Sequence, residues 1–78
     1  GKTLALSLGF VLWAAASFDK AAFAMCGKTV TALRRNVIAP LMPLLRDMGI
    51  QCSEKVSRSY FDVSLAGRSN RFYLFGGA

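Results

Sequence analysis

Gly1-Lys2-Thr3-Leu4-Ala5-Leu6-Ser7-Leu8-Gly9-Phe10-Val11-Leu12-Trp13-Ala14-Ala15-Ala16-Ser17-Phe18 opens the chain, and the reading of this stretch decides the fold. No charge falls between Leu4 and Phe18, and only Ser7, Gly9 and Ser17 interrupt the apolar character. A secretory leader would use Lys2 as a short basic region and Ala22-Phe23-Ala24 as a small-residue cleavage site, but no initiator Met precedes it. A transmembrane helix would need roughly 20 apolar residues, and Asp19-Lys20 closes the uncharged window too early. A helix buried on most sides within an α/β domain is the preferred reading.

That reading has chemistry behind it. The phosphate-binding loop pattern G-x-x-x-x-G-K-S/T ends in the residue types of Gly1-Lys2-Thr3 and runs directly into a helix. In that setting Lys2 neutralises the β- and γ-phosphates, Thr3 offers its hydroxyl to Mg²⁺, and the free N–H groups of the first turn point at the anion. A second Gly-Lys-Thr, Gly27-Lys28-Thr29, fails the same test. Ala22 stands where the pattern requires glycine, and Phe23-Ala24-Met25-Cys26 is an apolar strand-like run, not a flexible loop. Lys28 is read as a solvated lysine at a strand end, a candidate to face a nearby ligand.

Downstream, Ala21 to Cys26 is a short continuous apolar run, as expected of a strand covered on both faces in a parallel sheet. Thr29 or Thr31 can cap the next helix, with Leu33, Val37 and Ile38 on its inner side and Arg34, Arg35 and Asn36 opposite. Pro40 and Pro43 predict a kink or restart near Ala39, with Leu41, Leu44, Leu45 and Met48 as a second apolar face and Gly49 as the C-cap. Phe61, Val63 and Leu65 alternate with Asp62, Ser64 and Ala66 as a half-buried strand. Gly67 to Asn70 reads as a turn, and Arg71 to Phe75 as the returning strand. The expected order is helix, strand, helix, β-hairpin, an α/β arrangement.

Composition narrows the function. A hydrophobic fraction of 54% against 18% charged residues excludes a disordered chain, and 78 residues allow one small domain or part of a larger one. A net charge of +6 suits phosphate, nucleic acid or an acidic membrane surface. With no histidine, the commonest general base and metal ligand are both missing, and without a C-x-x-C pair Cys26 and Cys52 read as free thiols of a reducing compartment. Tyr60, Phe61, Phe72, Tyr73 and Phe75 with Arg58, Arg68 and Arg71 form a candidate stacking surface for single-stranded nucleic acid, though an aromatic hairpin packed on a core is the commoner use of such residues.

Three places in the sequence carry a family resemblance: Gly1-Lys2-Thr3 before an apolar helix, the run from Cys26 to Leu41 with Leu33-Arg34-Arg35-Asn36-Val37-Ile38-Ala39-Pro40-Leu41 at its centre, and Arg71-Phe72-Tyr73-Leu74-Phe75-Gly76-Gly77-Ala78. Together they resemble the N-terminal ATPase region of tailed-phage terminase large subunits. Pro43 departs from that pattern, in which a charged residue is more usual. The resemblance implies an ASCE-type P-loop NTPase fold, a central parallel sheet flanked by helices, with ATP hydrolysis driving DNA into a procapsid. It implies ATP and Mg²⁺ as cofactors, Gly1, Lys2 and Thr3 as the phosphate-binding residues and Thr3 as the Mg²⁺ ligand. Lys28, Arg34 and Arg35 are candidate ligand or DNA contacts. The implied partners are double-stranded DNA, portal protein and the small terminase subunit, in the cytoplasm of a bacterial host and without stable membrane insertion. On this reading residues 1–78 are a partial ATPase domain, from the end of the Walker A loop to a point before Walker B, and are inactive alone because phosphoryl transfer needs a metal-holding acid and a water-positioning group. The rival readings are a small basic membrane or secreted protein with an N-terminal targeting segment, and a basic nucleic-acid-binding module.

Overall fold

The computed structural model describes residues 2–77. Helix α1 spans Lys2–Ser17, followed by strand β1 at Ala22–Gly27, helix α2 at Val30–Leu33, a wider π-type segment at Arg34–Ile38 and helix α3 at Ala39–Asp47. Strand β2 at Gln51–Lys55, a 3₁₀ turn at Val56–Arg58 and the hairpin of β3 (Tyr60–Leu65) and β4 (Arg68–Gly76) complete the order. The strands form one sheet in the order β1-β4-β3-β2. β1 runs parallel to β4, with Met25 opposite Leu74. β4 is antiparallel to β3 and β3 to β2, with Phe61 opposite Phe72 and Val63 opposite Cys52.

The helices supply one wall of the core and the sheet the other. Val11, Ala14 and Ala15 of α1 meet Leu33, Val37, Ile38, Leu41, Met42 and Leu45 from the second helical stretch, above Met25, Phe61, Val63, Phe72 and Leu74. Phe61, Phe72 and Phe23 stack across the three neighbouring strands, with ring centroids 5.0 and 5.2 Å apart. Each such pair adds roughly 1 kcal/mol beyond its burial.

The second helical stretch behaves as its prolines require. Thr29 caps α2, its hydroxyl accepting from Ala32 N at 3.0 Å. The Ala39 N–H then reaches back to the Arg34 carbonyl, one residue beyond the α-helical partner. Pro40 has no N–H, and its ring crowds the preceding turn in a regular helix, so widening that turn relieves the crowding and lets the helix restart at Ala39. Gly49, at φ +79°, ends α3.

Several sequence-based expectations change. β2 is a strand beyond the expected hairpin, and only one strand pair is parallel, so the sheet is mixed. β1 is covered on one face only: Met25 is buried, whereas Ala22, Ala24 and Cys26 are exposed, because all the helices lie on the other side of the sheet. For the same reason α1 is buried along a stripe and not on most sides, leaving Trp13 53% exposed. In α3 it is Met42 that is buried, while Leu44 and Met48 turn outward. The extra residue in the widened turn rotates the face that follows it.

The hairpin turn also moves. Ala66 and Gly67 both have positive φ, at 53° and 79°, between the paired Leu65 and Arg68, which makes a two-residue turn whose twist matches the flanking strands. Asn70 therefore lies inside β4 and is 2% exposed. Its Nδ2 donates to the Phe18 carbonyl at 2.9 Å and the Ala14 carbonyl at 3.5 Å, and its Oδ1 accepts from Ala21 N at 3.0 Å. Arg68 donates to the Ala16 carbonyl at 3.0 Å, so the end of α1 is held by the hairpin.

Candidate phosphate site

The beginning of α1 lies at the carboxyl end of the parallel strand pair. Thr3 and Ser7 of α1 line a cleft of about 260 Å³ with Ala24 and Cys26 of β1 and Leu33 of α2. In open α/β sheets this is the place where ligands bind, beyond the carboxyl ends of parallel strands. Lys2 and Thr3 are exposed there, and no acidic residue occupies the first turn of α1. A helix start with its N–H groups unopposed by a carboxylate, one lysine and one hydroxyl fits an anion. The Thr3 hydroxyl fits Mg²⁺ as a single protein ligand, since that ion keeps most of its shell as water and phosphate oxygen. Gly1 lies outside the described residues.

Lys28 follows β1 directly and is exposed at the same end. Its carbonyl accepts from Gly77 N at 3.0 Å. Gly76, paired with Gly27 across the parallel strands, passes so close to the start of α2 that a Cβ on it would collide with Val30 N and sit 2.7 Å from the Thr29 carbonyl carbon. Only glycine fits that crossing. Neither Gly76 nor Gly77 was singled out from the sequence as a site residue, and their adjacency at the end of an aromatic strand is the signal that could have found them.

The other basic residues divide. Arg34 donates to Glu54 Oε2 at 2.7 Å and to the Val56 carbonyl at 3.4 Å, tying the π-type segment to β2, so its guanidinium is already engaged. Arg35, one residue on, is exposed. Arg71 grips Asp62 through two hydrogen bonds, at 2.8 and 3.2 Å, and lies 3.9 Å above the Tyr60 ring. The hydrogen bond to Asp62 raises its pKa above the ordinary guanidinium value, with a second contribution from Tyr73. Phe61 and Phe72 are fully buried and drop out of the candidate stacking surface, although Tyr60, Tyr73 and Phe75 remain on the open face of the sheet.

Three of the acidic residues are committed to structure. Asp62 and Glu54 hold arginines, and Asp19 accepts from Ser69 N at 3.0 Å. Asp47 ends α3 on the exposed side. Among the described residues no three acidic, cysteine or histidine side chains converge on a metal-sized space. The largest hollow, about 580 Å³, runs along the free edge of β2 beside Arg46, Cys52 and Asp62, at the opposite edge of the sheet from Lys28. It offers an open groove without a cluster of free cations. Cys26 and Cys52 are both free thiols. Burial pushes the Cys52 thiol up, partly countered by the Arg46 charge.

With this geometry in place, comparison with solved structures is decisive. The large terminase of a thermophilic bacteriophage in complex with ADP matches with a TM-score of 0.96 and 43% identity over 99% of this chain. The same protein in complex with ATP-γ-S matches with a TM-score of 0.94 and 42% identity over 97%. The resemblance to the phage large terminases holds along almost the whole chain. This segment spans 19% of the length of the terminase chains that it matches. No family model matches the chain, and no curated protein does. The terminase likeness leaves the targeting-segment reading without support, and the structure agrees, because α1 contributes Val11, Ala14 and Ala15 to the core instead of standing apart from it. Among the described residues no helix is long and apolar enough to cross a membrane.

Proposed function

We propose that this chain is the part of an ASCE-type P-loop ATPase that holds the nucleotide phosphates in a viral DNA-packaging motor. The observation that carries the reading is the position of Lys2 and Thr3 at the open start of α1, at the carboxyl end of the parallel strands, in a fold that matches nucleotide-bound terminases. Bound there, ATP with Mg²⁺ supplies the phosphoryl group whose transfer to water drives translocation. Lys2 neutralises the β- and γ-phosphates, Gly1 and the first turn of α1 present backbone N–H groups to them, and the Thr3 hydroxyl orients toward the ion.

Carboxylates from elsewhere in the protein complete the reaction, since Asp19, Glu54 and Asp62 are committed to structural contacts. The partners of the motor are double-stranded DNA, the portal and the small terminase subunit, in the host cytoplasm, with exposed Arg35 available to a DNA backbone. The test is nucleotide binding and turnover by the protein that carries this segment, with Lys2→Ala as the variant. A loss of ATP-γ-S affinity of at least about tenfold with a preserved fold is expected. Unchanged affinity overturns the phosphate-site reading, and turnover of ATP by the 78-residue chain alone overturns the need for outside carboxylates.

A further inference from the structure

The sequence contains Gly-Lys-Thr twice, and the structure brings the second copy to the same end of the sheet as the first. Lys28 leaves the carboxyl end of β1, the strand whose Cys26 lines a cleft together with Thr3. It was read from the sequence as a ligand or DNA contact without a choice between the two. The surroundings favour the ligand.

Three constraints fix the backbone at Lys28. The Gly77 N–H donates to its carbonyl at 3.0 Å, the Thr29 hydroxyl closes the first turn of α2 through Ala32 N, and Gly76 crosses against Thr29 and Val30 at a separation that excludes any side chain. So much local ordering around a residue that is itself exposed is unusual for a lysine that serves only solubility. Its side chain also has no competing partner: among the described residues the ion pairs are Arg34 with Glu54 and Arg71 with Asp62. An uncommitted ammonium on a fixed turn is a cation held ready at modest entropic cost.

We propose that Lys28 is a second phosphate contact of this site and reads the terminal phosphate, so that the site distinguishes a nucleoside triphosphate from a diphosphate, with Gly76 as the positioning residue that sets the Lys28 turn. The assignment rests on the phosphate-site reading above. Lys2, at the helix start, meets phosphates that both nucleotides share, whereas Lys28 approaches from the second parallel element and meets the charge that only the triphosphate carries.

Calorimetric titration of the protein carrying this segment with ATP-γ-S and with ADP separates the possibilities. Lys28→Ala should weaken ATP-γ-S binding by about tenfold and ADP binding by less than about threefold, and Lys28→Arg should restore most of the difference. Lys2→Ala should weaken both. Gly76→Ala should reproduce the loss of discrimination where circular dichroism shows the fold retained. Equal losses for the two nucleotides in Lys28→Ala, or no loss, overturn the proposal while leaving the Lys2 site standing. A change confined to DNA affinity and its salt dependence overturns it in favour of a DNA contact. If the unaltered protein binds neither nucleotide, the phosphate-site reading falls and this assignment with it.

Discussion

The two ends of α1 are built on opposite principles. At the carboxyl end, Asn70 and Arg68 reach from the hairpin to the carbonyls of Ala14, Ala16 and Phe18, and Asp19 and Lys20 are pinned to Ser69. At the amino end, Lys2 and Thr3 stand exposed, and no side chain among the described residues caps the first turn. Every helix leaves unpaired carbonyls at one end and unpaired N–H groups at the other. Here the carbonyls are satisfied by the protein itself, and the N–H groups are left for something else. Stability is concentrated where nothing needs to bind, and chemical capacity where little is held.

The largest effect should come from breaking the closed end. Asn70→Ala removes a buried amide and leaves Ala21 N and the Phe18 carbonyl without partners, which costs about 3 kcal/mol by the penalty for orphaned buried groups. Urea denaturation of the protein carrying this segment measures it. The comparison of ends predicts that nucleotide affinity of the folded protein stays within about twofold of the original. A stable Asn70→Ala protein, or one that folds but loses its nucleotide, would break the contrast.

Lys2→Ala is the mirror experiment. With no ion pair to lose and an exposed position, its effect on stability should stay within about 0.5 kcal/mol, while nucleotide affinity falls by at least about tenfold. A comparable loss of stability would mean that the open end of α1 is held by its own lysine and is not waiting for an anion.

How much of this was legible beforehand differs between the same two ends. Lys2, Thr3 and the Thr29 cap are local signals, fixed by residue type and spacing, and the sequence displayed them. The prolines announced the restart at Ala39, because the missing N–H of Pro40 is a covalent fact. Asn70 was not legible: asparagine after glycine reads as a turn, and only the tertiary contact with a helix more than fifty residues earlier makes it a buried staple. β2 stayed hidden because its inward residue Glu54 is charged, and the pairing with Arg34 that permits it depends on where the second helix lies. The open faces of β1 and α1 escaped for a related reason, since an apolar run states that a residue tolerates burial and not what will cover it.

Glu54→Gln sharpens the contrast from the side of the sheet edge. The Arg34 and Glu54 side chains are 25% and 21% exposed, so the pair is partly screened and its loss should cost about 1 kcal/mol, less than Asn70 and without effect on nucleotide binding. The freed Arg34 adds a cation to the exposed surface beside Arg35. If DNA affinity rises with this substitution, with a steeper salt dependence, the helix face bearing Arg34 and Arg35 is the DNA-facing one. If it is unchanged, Arg34 is structural throughout.

The smallest effect concerns the two thiols, which again lie on opposite sides of the contrast. Cys26 is exposed beside the candidate phosphate site, whereas Cys52 is half-buried at the far edge with its Sγ directed at the Met42 carbonyl, 3.8 Å away. Burial raises the Cys52 pKa in the folded chain, with the Arg46 charge opposing. A raised pKa means that the folded state holds the thiol proton more tightly than the unfolded chain does. The resulting stability is complete below the ordinary thiol range and is lost as pH rises through the raised value. Denaturation midpoints measured from neutral pH into the alkaline range should therefore decline slightly, and Cys52→Ala should flatten that part of the decline, whereas Cys26→Ala should not. Iodoacetamide should modify Cys26 at least about tenfold faster than Cys52 in the folded protein at neutral pH, because reaction requires an accessible thiolate. Equal rates would mean that the β2 edge opens as readily as the phosphate end, and the division between a closed and an open side of the molecule would not extend beyond α1.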